Sequence, residues 1–147
     1  VGALCRALDT RGEGEPIVVY NPLSIEREDV IEATVGFSGE VPKAVRVFGP
    51  DGTETASQIT AVGEGVVHVA FLARVPPVGF AVFDVRPAEA PCDLDTGLTV
   101  ETSRLENEHY AVRLDENGDI AAIYDKVAGR EILDAPACLQ LLEDSPR

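Results

Sequence analysis

Apolar and polar residues alternate with a period of two through most of this chain, and glycine and proline repeatedly break the alternation. Ile17 to Tyr20, Asp29 to Phe37, Lys43 to Gly49, Val66 to Val75 and Phe80 to Val85 are rich in Val, Ile and Phe and read as strands. Between them lie "NPLS" at Asn21 to Ser24, "FSGEVP" at Phe37 to Pro42, "GPDGTE" at Gly49 to Glu54, "GEG" at Gly63 to Gly65 and "VPPVG" at Val75 to Gly79. In these segments glycine permits positive φ and proline holds φ at a strand boundary. No 3.6-residue period is sustained anywhere. The expected fold is therefore all-β, an antiparallel β-sandwich over residues 15–87.

"RPAEAPCDLDTG", Arg86 to Gly97, is proline-rich and acidic, and residues 88–97 read as a linker. Residues 98–147 hold further strand candidates, "LTVETSRLENE", "YAVRLD", "IAAIYDK", "REIL" and "ACLQLLED", the last of which also suits a short helical turn. They read as a second, incomplete β-sheet segment, the start of a larger sandwich. A chain of 147 residues can bury a usable core. Its net charge of −14 opposes a phosphate backbone or an anionic membrane, so neither nucleic acid nor membrane is an expected partner. Cys5, Cys92 and Cys138 are odd in number and far apart, which argues for small apolar packing roles over a disulfide framework or a thiolate metal site. The chain begins at Val1 and contains no methionine, which reads as a fragment of a longer polypeptide.

The acidic loop "DENGD", Asp115 to Asp119, is the most site-like stretch. A calcium loop would need glycine after the third ligand, where Ile120 stands, and flanking helices in place of strands. Asn117-Gly118 between two alternating runs instead signals a hairpin, because both residues tolerate positive φ. His68 alternates with Val67 and Val69, as an exposed or edge-strand residue does, and His109 follows Glu108 at a strand start. Neither lies in a metal-binding spacing. "ERED", Glu26 to Asp29, reads as a solvated strand edge. Glycoside hydrolysis needs two carboxyl groups roughly 5 Å apart for retention, and no spacing here singles out such a pair.

Three stretches nevertheless carry a family resemblance. "VVYNPLSIEREDVIEATV" (Val18 to Val35), "VPPVGFAVFDV" (Val75 to Val85) and "LENEHYAVRLDENGDIAAIYDKVAGREIL" (Leu105 to Leu133) resemble, in order, segments of the β-rich region of family 38 glycoside hydrolases, the α-mannosidases. The resemblance implies a parent enzyme of the retaining type. Its N-terminal α/β domain would supply an aspartate nucleophile, an acid/base carboxylate and a zinc site, with a helical bundle following. None of those motifs matches a position here, so no catalytic residue, metal ligand or cofactor is expected in this chain.

The expected function is that of a non-catalytic β-sandwich region. Its partners would be the catalytic and helical domains of the same polypeptide, and it would meet the carbohydrate substrate only through the parent. An independent carbohydrate-binding or adhesion module is the alternative, but such modules present aromatic platforms, and the chain has no Trp, three Tyr and five Phe. His109 and Tyr110 are the candidate cleft-edge contacts, and the expected compartment is cytoplasmic. The run Cys138 to Glu143 is expected to leave an open sheet edge, through which a truncated chain would dimerise.

Overall fold

The computed structural model describes residues 8–138, and every regular element among them is a strand. In chain order these are β1 (Glu15–Asn21), β2 (Arg27–Gly36), β3 (Ala44–Phe48), β4 (Glu54–Thr55), β5 (Ser57–Val62), β6 (Val66–Val75) and β7 (Gly79–Ala88). Then follow β8 (Thr99–Glu101), β9 (Arg104–Glu106), β10 (Tyr110–Leu114), β11 (Ile120–Asp125) and β12 (Arg130–Glu131). All pairings between them are antiparallel. The chain divides into two compact units, Val1–Leu94 and Asp95–Arg147.

The first unit contains two sheets, of order β1-β7-β3-β4 and β2-β6-β5. Alternation sends Val45, Val47, Ala81, Phe83 and Val85 from one sheet, and Val35, Val67, Val69, Phe71, Ala73 and Val75 from the other, into a single buried cluster. Phe71 and Phe83 meet within it, with ring centroids 5.0 Å apart. This is the expected antiparallel sandwich. The side chains between the buried positions face solvent, as His68 does on the central strand β6, where its Nδ1 lies 3.1 Å from Thr34 Oγ1.

The two connections β1–β2 and β6–β7 each cross from one sheet to the other, and they are bonded to each other. Asn21 is 5% exposed, and its Nδ2 donates to the carbonyls of Ile25 (2.7 Å), Val75 (3.2 Å) and Pro76 (3.0 Å). Its Oδ1 accepts from Leu23 N at 3.0 Å. Leu23 O in turn accepts from Val78 N at 2.8 Å. Val78 adopts φ 45°, a left-handed conformation that crowds a β-branched side chain. The Pro76-Pro77 pair ahead of it and the bond to Leu23 hold it there. "NPLS" and "VPPVG" are thus two halves of one joint.

The second unit contributes a single sheet of order β12-β11-β10-β9-β8. Its β10–β11 hairpin closes at "DENGD" as expected, but with a different turn from the one implied by two positive-φ residues. Only Gly118 is left-handed (φ 85°), and Gly118 N donates to Asp115 O at 3.2 Å. Asp115 N also donates to Asp119 O at 2.9 Å, so the loop takes the longer form in which one glycine after a turn restores the strand twist; beyond it, a bulge leaves Ala121 unpaired between Ile120 and Ala122.

The run "LTVETSRLENE", expected as one strand, is a hairpin of β8 and β9. β5 was not anticipated, because "SQITAV" carries only Ile59 into the core and Thr60 bulges out of register between Ile59 and Ala61. β7 runs on to Ala88, paired with Ala44, so it enters the segment read as a linker; Pro87 is tolerated because β1 ends opposite Val85 and leaves that side of β7 open. Cys138 is exposed and not packed inside, whereas Cys92 is half-buried with Sγ 3.8 Å from Thr55 O. The rest of the Cys138 to Glu143 run, and Cys5, lie outside the described residues.

The joint makes a stability prediction. Replacing Asn21 by Asp keeps size and the Leu23 bond but removes the donor that serves three carbonyls, and should cost about 2 kcal/mol, with Asn21→Ala costing at least as much. Urea unfolding monitored by near-ultraviolet circular dichroism measures this. A wild-type midpoint for Asn21→Asp would show that the amide does not tie the crossovers.

Candidate functional site

The candidate residues His109 and Tyr110 sit where β9 turns into β10. Asn107 makes this turn: its Oδ1 accepts from His109 N (2.9 Å) and Tyr110 N (2.7 Å), and its own N–H donates to Tyr110 O at 2.9 Å. An asparagine side chain that mimics a backbone turn explains why "ENEHY" reverses direction without glycine. The "YDK" turn is bound to it. Lys126 N donates to His109 O at 2.9 Å, and Lys126 Nζ reaches both Asn107 O (2.7 Å) and Glu106 Oε1 (2.6 Å). Asp125 Oδ1 accepts from Val127 N and Ala128 N, which shapes the far side of the turn.

The electrostatics of the clasp follow from this geometry. The Lys126 hydrogen bond holds the Glu106 carboxyl below the ordinary glutamate range, Arg104 adds to the effect, and partial burial opposes it. Arg104 also forms an ion pair with Glu106 directly. A carboxylate occupied by two cations is a structural anchor and is poorly placed to act as an acid or base.

The two candidate residues diverge in surroundings. Tyr110 is half exposed and lines an open trough of about 570 Å³, whose walls include Leu98, Val100, Leu105, Val112 and Ile123. His109 stands outside those walls, with Nε2 3.3 Å from Glu108 Oε1 and its ring edge-on to Tyr110 at 6.3 Å. Thr99, Glu106, Asn107 and Tyr110 also line the trough, but Glu106 and the Asn107 side-chain oxygen are taken up by the clasp and its turn, so the aliphatic walls suit the burial of apolar groups better than the grip of a hydroxyl-rich ligand.

The other sequence candidates are engaged locally. Asp115 Oδ1 accepts from Asn117 N (2.8 Å) and Asp119 N (3.0 Å), which turns the carboxylate onto its own loop. Glu26 pairs with Arg74 at 2.6 Å, and Arg27 with Asp29, on the edge strand β2 and its approach. Just ahead of β1, Glu13 N and Gly14 N donate to the Asp84 carboxylate, which also accepts from Arg86 Nε at 2.8 Å. A side chain at Gly14 would place Cβ 2.1 Å from Val85 O, so only glycine fits. Among the described residues no group of three or more His, Cys, Asp or Glu converges to hold a metal ion. The residues that sequence reasoning passed over are Asn21 and Lys126. The signal for each lay in its motif, as an Asn before Pro and a Lys after Tyr-Asp, but the bonded partners lie up to 55 residues away.

No protein-family model matches the chain, and no curated protein matches it. Among solved structures the chain is similar to an α-mannosidase from Enterococcus faecalis V583 (TM-score 0.57, 19% identity) and to a protein of glycosyl hydrolase family 38 from Enterococcus faecalis (TM-score 0.62, 20% identity). Each comparison covers 87% of this chain but only 19% of the other. At such identity the likeness is one of fold, and this chain spans about a fifth of the length of those neighbours.

The clasp predicts a titration. A carboxyl whose folded-state pKa is depressed contributes stability that is present above its unfolded value and is lost as the pH falls through the folded one. Glu106 should therefore titrate below the ordinary glutamate range in a carbon-detected NMR experiment, and Lys126→Met should move it upward. An unchanged Glu106 titration in Lys126→Met would show that the lysine does not hold it.

Proposed function

We propose that this chain is a non-catalytic β-sandwich region of an α-mannosidase-like glycoside hydrolase of family 38. The observation that carries the reading is the likeness in fold to two such chains over 87% of this one. The three ordered sequence stretches support it, since they form the crossover joint and the Asn107–Lys126 clasp, the features that hold each unit in shape. In this role the region braces the catalytic domain, and the edge carrying His109 and Tyr110 borders the sugar cleft. The zinc and the catalytic carboxylates belong, on this reading, to the catalytic domain. The described residues do not fit a zinc site: His68 pairs with Thr34 and His109 with Glu108, in separate units.

The carbohydrate-binding alternative finds little support in the aromatic side chains. Tyr20 and Phe80 are half exposed and 6.1 Å apart, but their rings are inclined by 51° and do not form a flat platform for a sugar face.

The 147-residue chain alone should hydrolyse no aryl α-mannoside, with or without zinc, while a polypeptide joining it to its catalytic domain should do so with retained anomeric configuration. Turnover by the chain alone that is lost on replacing one of its carboxylates would overturn the proposal. So would an inverted product from the longer polypeptide.

A further inference from the structure

The chain has three asparagines, and the fold puts them in different chemical situations. An asparagine amide can be displaced when the main-chain nitrogen of the next residue attacks its Cγ. Reactivity therefore depends on how freely the amide moves and on which nitrogen follows it. Asn21 is buried, donates to three carbonyls and is followed by Pro22, whose nitrogen carries no proton to give up. Asn107 is followed by the bulkier Glu108, and its Oδ1 is fixed by His109 N and Tyr110 N. Asn117 differs on both counts.

The Asn117 side chain is exposed and makes no hydrogen bond among the described residues; only its main-chain N–H is engaged, with Asp115 Oδ1. The nitrogen that follows belongs to Gly118, which has no Cβ to shield it and, at φ 85°, stands where an added Cβ would meet nothing within 4 Å. That nitrogen is held by a 3.2 Å bond to Asp115 O, longer than the 2.9 Å bond from Asp115 N to Asp119 O in the same loop.

We propose that Asn117 is a site of spontaneous covalent modification, converting to aspartate and isoaspartate through a cyclic imide formed with Gly118. Gly118 N gives its proton to hydroxide and bonds to Asn117 Cγ. The side-chain nitrogen takes a proton from water and leaves as ammonia. A second water then opens the imide: at the former side-chain carbonyl it yields aspartate, and at the main-chain carbonyl it yields isoaspartate, whose main chain is longer by one methylene. Either product adds negative charge to a loop that already holds Asp115, Glu116 and Asp119. Isoaspartate also alters the spacing at which Gly118 N and Asp119 N reach Asp115. The reaction needs only water and the turn, so it does not rest on the reading of the chain as part of a glycoside hydrolase.

Asp51-Gly52 is the nearest rival, since an aspartate can form the same imide. Its carboxylate accepts from Thr53 N and Thr53 Oγ1, both at 3.0 Å, and these bonds hold its pKa below the ordinary aspartate range. An ionised carboxylate is a poor electrophile, so this second turn is protected.

Incubation of the 147-residue chain at mildly alkaline pH, followed by digestion and tandem mass spectrometry, tests the proposal. The peptide spanning position 117 should accumulate both isoaspartate and aspartate, while Asn21 and Asn107 remain amides and Asp51 keeps its normal linkage. Asn117→Gln, whose longer side chain closes a less favoured ring, should abolish the change at that position. An exposed turn opens locally with little free energy, so conversion in the folded chain should run within about tenfold of its rate in guanidinium chloride. Stronger slowing in the folded chain would overturn the proposal, since the bond to Asp115 would then protect the turn. Conversion to aspartate with no isoaspartate would overturn it as well, because the imide route gives both.

Discussion

An antiparallel sheet built from alternating residues has one apolar face, and that face must be covered for the sheet to be stable. The rest of this structure depends on how the requirement is met. In the unit Val1–Leu94 the two sheets cover each other, with Phe71 against Phe83 at the centre and valines on both sides. Burial of a side chain of this size contributes about 1.5–3 kcal/mol, whereas solvent-exposed ion pairs such as Glu26–Arg74 are screened by water and add little. In the unit Asp95–Arg147 the same pattern produces a single layer whose shape comes from turns and clasps.

Covering one sheet with the other requires the chain to change sheets, and the β1–β2 and β6–β7 crossovers do so at one place. Asn21 bonds carbonyls of both crossovers, and Val78 accepts backbone strain to complete the joint. Asp115, Asn107 and Asp125 play a comparable part in the second unit, each using a side-chain oxygen to close a turn. Polar residues that look like loop punctuation thus serve as fasteners. Their carboxylates and amides are occupied by the turns they close.

Strand content was legible wherever branched residues alternate without interruption: Val66 to Val75 was read with the bounds it has in the structure. β5 escaped because threonine and alanine dilute its alternation and a bulge at Thr60 shifts the phase. The hairpin at Asn117-Gly118 was legible, but the form of its turn was not, since that depends on the bonds that Asp115 makes to Asn117, Gly118 and Asp119. At the candidate site, Tyr110 and His109 were legible only as neighbours at a strand start. That one faces an aliphatic trough and the other Glu108 follows from the register of β9, β10 and β11, which no local pattern states.

One unit is closed by opposing sheets, and the sheet of the other leaves its aliphatic face exposed. Native-state amide hydrogen exchange on the 147-residue chain tests this difference most directly. The amides of Phe71 and Phe83 should exchange only by global unfolding of their unit, and those of Val112 and Ile123 should exchange faster by a factor on the order of a hundred or more, through local opening. Equal protection of the four amides would contradict it, and would mean that the second sheet draws its stability from a source other than the burial of its apolar face.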